Sequence, residues 1–282
     1  MAAAGTRAGR STPFANTPVY VVALILTAIV LAPIVFVVLG GFRTTGQIAA
    51  DPVGLPDPWV THNYWSVLTS DTFWRQLGNS VIVAAIATAL VVGVSALAAY
   101  PLARMEFRGR EAIYVFFTFG LLFPVAVAAL PLYLLLRQLG LLETLIGIAL
   151  PEAAFGIPIT IIILRPFMRA IPAELEDAAA MDGYGRFGFF LRVLLPLTRP
   201  ALVTVTILSV ITSWNNFILP LLVLTDPNKW TLPLGVAQYS SEHSADTAGI
   251  LAFTTLSMVP ALLFFLAAER RIVGGLSGAV KG

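Results

Sequence analysis

The sequence predicts an all-α, polytopic membrane protein with six transmembrane helices, and three observations carry that prediction. Hydrophobic residues make up 58% of the chain and charged residues only 11%. Soluble domains carry ~25% charged residues, and disordered chains are poor in apolar ones, so both classes are excluded. The few charges are clustered. They leave charge-free windows at 11–42, 76–103, 112–136, 200–225 and 247–268, and a sixth, 144–164, whose one charge is Glu152. Each window can hold the ~20 apolar residues that cross ~30 Å of hydrocarbon. Finally, windows such as 81–100 are apolar on every side. Barrel strands alternate over ~10 residues, so a β-barrel does not fit.

The elements follow in order. Residues 1–16 read as a cytoplasmic N-terminal segment, and the first span is expected at 19–41. Its apolar region is too long for a secretory signal, so it reads as an uncleaved span. Further spans are expected at 80–100, 113–136, 145–167, 201–224 and 249–268. The six-helix transmembrane domain then covers 17–272, and 273–282 forms a short cytoplasmic tail. That tail, rich in glycine, is expected to be a flexible strand. Pro33, Pro124, Pro131, Pro151, Pro158, Pro220 and Pro260 fall within spans, where each removes a backbone hydrogen bond and can kink its helix.

Orientation comes from lysine and arginine. One side receives Arg7, Arg10, Arg104, Arg108, Arg110, Arg165, Arg169, Arg186, Arg192, Arg199, Arg270, Arg271 and Lys281. The other receives Arg43, Arg75, Arg137 and Lys229. The positive-inside rule then places both termini in the cytoplasm. Two long connections, 42–79 and 225–248, face outward and carry Asp51-Pro52, Asp57-Pro58-Trp59 and Asp226-Pro227. These are turn-forming and interface-anchoring residues. They suit either short caps over the bundle or a surface for an external partner.

The cytoplasmic connection 168–200 has the most pattern. Pro172 can open a helix, Glu174, Glu176 and Asp177 suit its positive N-terminal dipole, and Ala178, Ala179 and Ala180 are strong helix formers. Gly183 is placed to end it in the left-handed region. A second helix is expected over 186–195, stopped by Pro196. Such a knob offers an alanine face for close approach and an acidic start for a basic partner. A plain amphipathic surface connection fits the same residues.

In the membrane, Glu152 is a carboxylate whose burial is costly, and such residues are functional candidates by default. It suits a sugar hydroxyl, or a hydrogen-bond pin between helices, or a position near the outer interface with Pro151 opening the helix. Trp214, Asn215 and Asn216 lie mid-way in the fifth span and, with Phe217, combine aromatic faces with planar amides. Sugars need both kinds of contact. Asparagines also bond across helices as structural glue.

What is missing narrows the function. Neither lysine, Lys229 nor Lys281, completes a phosphate-binding G-x-x-x-x-G-K-[ST] loop. No cysteine is present, and His62 and His243 stand in outer loops without the three ligands of a catalytic zinc. No metal, no catalytic group and no nucleic-acid contact is expected of the chain.

The run Asp177-Ala178-Ala179, three residues, then Gly183, with Leu194-Leu195-Pro196 following, resembles the "EAA" loop of the membrane subunits of bacterial ABC importers. Asn79-Ser80, Ala99-Tyr100-Pro101-Leu102-Ala103-Arg104, Trp214-Asn215-Asn216-Phe217, Leu219-Pro220-Leu221, Thr231-Leu232-Pro233 and the ending from Gly275 are similar to the carbohydrate branch. There they resemble the smaller permease of maltose-type importers. The resemblance runs over nearly the whole chain from Thr17. It implies the type I importer permease fold, in the bacterial inner membrane. It implies docking of Glu176, Asp177, Ala178, Ala179, Asp182 and Gly183 into a cytoplasmic ATPase dimer, with Glu176 and Asp177 both available for the contact. It also implies a second permease, an extracytoplasmic binding protein that delivers a sugar, and ATP with magnesium bound by the ATPase partners. Other solutes, such as a polyamine or an amino acid, share the loop. An ion-coupled carrier would have to rely on Glu152.

Overall fold

The computed structural model describes residues 17–240 and 246–279. Arg7, Arg10, His243 and Lys281, and with them the expected N-terminal segment, lie outside the described residues. The regular elements are helical: α1 (Thr17–Gly40), α2 (Thr45–Ala50), α3 (His62–Leu68), α4 (Asp71–Arg104), α5 (Arg110–Gly120), α6 (Val125–Gln138), α7 (Ile146–Arg169) and α8 (Glu174–Met181). There follow α9 (Arg186–Phe189), a π turn (Phe190–Leu194), α10 (Leu195–Leu197), α11 (Arg199–Trp214), α12 (Ile218–Val223), α13 (Leu232–Gly235), a 3-10 turn (Val236–Tyr239) and α14 (Thr247–Ala279).

Among the described residues, four helices are long and apolar enough to cross a membrane unbroken: Val19–Gly40, Asp71–Arg104, Ile146–Arg169 and Thr247–Ala268. Two more spans arise if bent pairs count as one each. These are Arg110–Gly120 with Val125–Gln138, bent by 96°, and Arg186–Leu197 with Arg199–Trp214, bent by 77°.

The chain forms two compact units. One comprises the described residues up to Trp65 with Asp246–Thr255; the other comprises Ser66–Ala245 and the chain from Leu256. In the first unit the connection after α1 folds on itself. Buried Arg43 donates to the carbonyls of Gln47, Pro52 and Asp51, Thr44 and Gln47 form a capping box at the start of α2, and Tyr64 Oη donates to Val38 O at 2.7 Å. In the second unit α4 and α7 pack along their lengths, with α11 laid against both. Gly156 of α7 makes this possible, since a Cβ there would meet Val91 Cγ2 of α4 at 2.8 Å. The connection before α13 is held on the early turns of α4. Asn79 Nδ2 donates to Asn228 O and Trp230 O, and Ser80 Oγ accepts from Leu232 N–H at 2.8 Å. Two short motifs, Asn79-Ser80 and Thr231-Leu232-Pro233, are thus partners in space.

Six sequence expectations are corrected. The second span starts at Asp71, not 80, because the helix continues as a platform for the connection before α13. The third is not one helix. Pro124, extended at ψ 130°, has no N–H to continue α5 and forces a turn before α6. The fifth breaks after Trp214. Pro220 would clash with the carbonyl four residues back in a continuous helix, and Asn216 Oδ1 instead accepts from Leu219 N–H at the start of α12. In the connection 168–200, Pro172 precedes α8 without opening it, and Pro196 does not stop the second helix. Pro196 lies inside the continuous run Arg186–Leu197, where the π turn just before it takes up the break that its missing N–H makes in the hydrogen-bond ladder. The tail is helical to Ala279, not a strand. Adding residues to a long nucleated helix is cheap even for glycine-rich sequence. Residues 280–282 are outside the described set. Pro151 is the sixth residue of α7, so it does not open that helix, and Glu152 lies in the second turn.

Candidate functional site

The knob in the connection 168–200 is built on α8. Its first turn holds Glu174, Glu176 and Asp177. Its C-terminus closes in a Schellman motif: Tyr184 N–H donates to Ala179 O at 2.9 Å and Gly183 N–H to Ala180 O at 3.0 Å. Gly183 has φ +82°, the left-handed region where glycine alone is unstrained, and its α-carbon faces open space.

The knob is rooted in the second unit. Ala179 is buried among Tyr100, Ala103, Leu164, Met168, Phe189 and Phe190. Tyr100 stacks on Phe190 with ring centroids 5.1 Å apart, and its hydroxyl donates to Arg186 O at 3.1 Å. Arg104 donates to Glu176 Oε2 from Nε at 3.0 Å and from Nη2 at 2.9 Å, and also to Ile171 O. One end of α4 therefore grips both arms of the knob. Asp177, Ala178, Asp182 and Gly183 are exposed, as is Met181 at 89%. Of the expected docking residues, Glu176 and Ala179 are engaged within the chain, and the others present an outward surface. Deeper in, Arg165 is buried. It donates to Leu102 O, pairs with Glu111 and lies 4.0 Å from the Tyr114 ring centre, joining α4, α5 and α7.

The second feature is a cavity of about 270 Å³ within the second unit. Glu152, Ser213 and Asn216 line it, with Phe155 of α7 and Ser209 and Thr212 of α11. Ser213 Oγ donates to Glu152 Oε2, Asn216 lies beside the carboxylate, and Glu152 Oε1 is buried without a hydrogen-bond partner.

The residues singled out in the fifth span do not stay together. Asn216 joins Glu152, but Trp214 and Asn215 line a separate space of about 320 Å³ with Pro260, Ala261 and Phe264. Trp214 Nε1 donates to Ser257 O, and Asn215 Nδ2 bonds back to Ile211 O. Phe217 is 42% exposed and lines neither space. Sequence reasoning missed Ser209, Thr212 and Ser213. With Asn216 they stand at i, i+3, i+4 and i+7, which is one helix face. That polar stripe, in an otherwise apolar span, was the available clue.

Against known proteins, residues 90–274 match the family described as binding-protein-dependent transport system inner membrane component. The chain belongs to this family. It is an inner-membrane permease subunit of an ABC transporter and not the ATPase. It is 38% identical over 256 residues to the diacetylchitobiose uptake system permease protein NgcG of Streptomyces coelicolor, covering 90% of this chain and 85% of the relative. It is 34% identical over 255 residues to the trehalose transport system permease protein SugB of Mycobacterium tuberculosis, covering 89% and 93%. Its fold is similar to a chain in the crystal structure of a bacterial ABC transporter involved in the import of the acidic polysaccharide alginate. There the TM-score is 0.77 and the identity 22%, over 93% of this chain and 99% of that one. The permease thus has the importer fold expected from its sequence.

Proposed function

We propose that this permease imports a sugar or oligosaccharide, delivered by an extracytoplasmic binding protein and driven by an ATPase dimer bound at the cytoplasmic face. The exposed, glycine-capped knob on the end of α4 carries the coupling part of this reading. Asp177, Ala178, Asp182, Gly183 and Met181 present a small, acidic and apolar surface that a cleft can enclose. Movement of such a cleft reaches α4 through Arg104 and Tyr100, and α4 packs on α7 and α11, which frame the cavity. Glu176 and Ala179 act from within by fixing the knob. The sugar class is supported by relatives named for diacetylchitobiose and trehalose uptake. A second permease completes the pathway, and both termini of this chain face the cytoplasm.

In this mechanism ATP and magnesium are held by the ATPase chains. ATP binding closes the dimer, shifts the knob and favours an outward-facing state, as differential binding to two conformations requires. Purification of the permease in mild detergent from its native membrane, followed by mass spectrometry, tests the assembly. An ATPase with a phosphate loop and a second permease are the expected companions. Vesicles bearing that complex are expected to take up a neutral di- or oligosaccharide only with ATP and the binding protein. A chain that purifies alone, under conditions preserving other complexes, would sink the reading.

A further inference from the structure

We propose that the cavity around Glu152 is a substrate station belonging to this chain, which holds one uncharged or amine-bearing sugar ring in transit and excludes an anionic one. The inference rests on the sugar reading above and adds to it a place and a chemistry. Three observations converge. The fifth span breaks after Trp214, beside the cavity. Irregular backbone at membrane depth is tolerated where it lines a cavity, and broken helices mark solute sites in transporters. Beside the break, Ser209, Thr212 and Ser213 turn one face of α11 to the cavity that Glu152 of α7 and Asn216, in the break itself, also line. Last, Glu152 Oε1 is buried and unpartnered, and a buried polar atom left so is costly unless something completes it.

The groups match a pyranose. Glu152 Oε1 is an acceptor. The Asn216 oxygen is occupied by Leu219 N–H, and its NH2 lies against the Glu152 carboxylate, so the two form one polar patch. Phe155 offers an apolar ring for C–H groups, the part expected of Trp214. A volume of about 270 Å³ is near the lower limit of small-molecule sites, ~300 Å³, so one ring fits and a longer chain must pass through in steps. Glu152 is the only charged residue among those lining the cavity. No cation there could neutralise a sugar carboxylate, and a carboxylate taken out of water without a partner is strongly disfavoured.

The absence of cysteine from the chain permits a direct test. Ser209→Cys and Thr212→Cys would be made singly, and the complete importer reconstituted in vesicles. Each is treated with a charged, membrane-impermeant thiol reagent, with and without ATP, and labelling is read on this chain by mass. Trehalose and diacetylchitobiose serve as neutral probes and a digalacturonate as the anionic one. Labelling in one nucleotide state is expected, slowed about tenfold by a neutral probe and not by the uronate. Tenfold is ~1.4 kcal/mol, about one hydrogen bond to a charged group. Glu152→Gln in the same background is expected to abolish that protection. Thiols inert in both states overturn the station, as does protection that is equal for both sugar types or survives Glu152→Gln. Uptake by the unsubstituted importer is measured in parallel. If it takes up neither neutral probe, it is the sugar reading that fails.

Discussion

Arg104, the last residue of α4, holds Glu176, the third residue of α8, through two hydrogen bonds to a single carboxylate oxygen at 3.0 and 2.9 Å. The pair separates two neighbouring acids that look equivalent in sequence. Glu176 faces its own chain, and Asp177 faces out. A charge-assisted bond of this kind contributes about 1.5–3 kcal/mol. The pair acts as a strut between the knob and the end of α4.

Arg104→Ala should therefore leave the ATPase bound but weaken coupling. We expect ATP hydrolysis that responds less to the binding protein, and several-fold less uptake per ATP consumed. Arg104→Glu with Glu176→Arg should recover part of the loss. Uptake and hydrolysis measured together in vesicles decide the matter. An Arg104→Ala importer with the original uptake-to-hydrolysis ratio would show that the strut carries no motion.

Gly183 poses a different test, because its constraint lies in the backbone. A substituted Cβ meets nothing within 4 Å, yet φ is +82°. An L-residue there costs about 1–2 kcal/mol of strain, and asparagine the least. Gly183→Val is expected to reduce ATPase co-purification and uptake strongly, and Gly183→Asn only mildly. Equal behaviour of the two would show that bulk, not conformation, limits this position.

These predictions rest on features of unequal legibility. The all-helical membrane class, the helix–glycine–helix knob and the αL role of Gly183 could be read from charge gaps, alanine content and glycine position. The partition of Glu176 and Asp177 could not, because it depends on where Arg104 arrives from another span. Prolines gave the places where helices change course but not the outcome. Pro124 and Pro220 break their spans, while Pro151, Pro158 and Pro166 stay inside α7. Neighbouring helices decide between these, and they are non-local. The quartet 214–217 was read as one patch because the span was taken as an unbroken helix. The break sends Trp214 and Asn216 to different spaces.

The α4–α7 contact offers a packing test. A Cβ at Gly156 would sit 2.8 Å from Val91 Cγ2, too close without a shift. Overpacking of this sort costs about 1–3 kcal/mol. Gly156→Ala should lower the thermal unfolding midpoint of the purified importer, and Val91→Ala added to it should recover much of the loss. If the double variant is no more stable than the single one, the close approach at Gly156 is not what sets the α4–α7 distance.

A pH test is offered by Glu143, in the connection between α6 and α7. Burial pushes its carboxyl up. Hydrogen bonds from the Thr225 hydroxyl and N–H and from Asp226 N–H, with Lys229 nearby, pull it further down, so the net shift is below the ordinary 4.5. Asp226 is also held below its ordinary 3.8, first by the Asn228 N–H. A carboxyl lowered on folding stabilises the fold fully above its unfolded pKa, and that contribution is lost as pH falls through the folded value. Glu143→Gln should therefore lower the unfolding midpoint at neutral pH. The gap to the unsubstituted protein should hold down to about pH 5 and close below the usual glutamate range. Because Glu143 is largely solvent-facing, the gap should be small and should shrink with added salt. A gap that stays constant from neutral to strongly acidic pH would mean that the Glu143 side chain acts by shape alone, with no contribution from its charge.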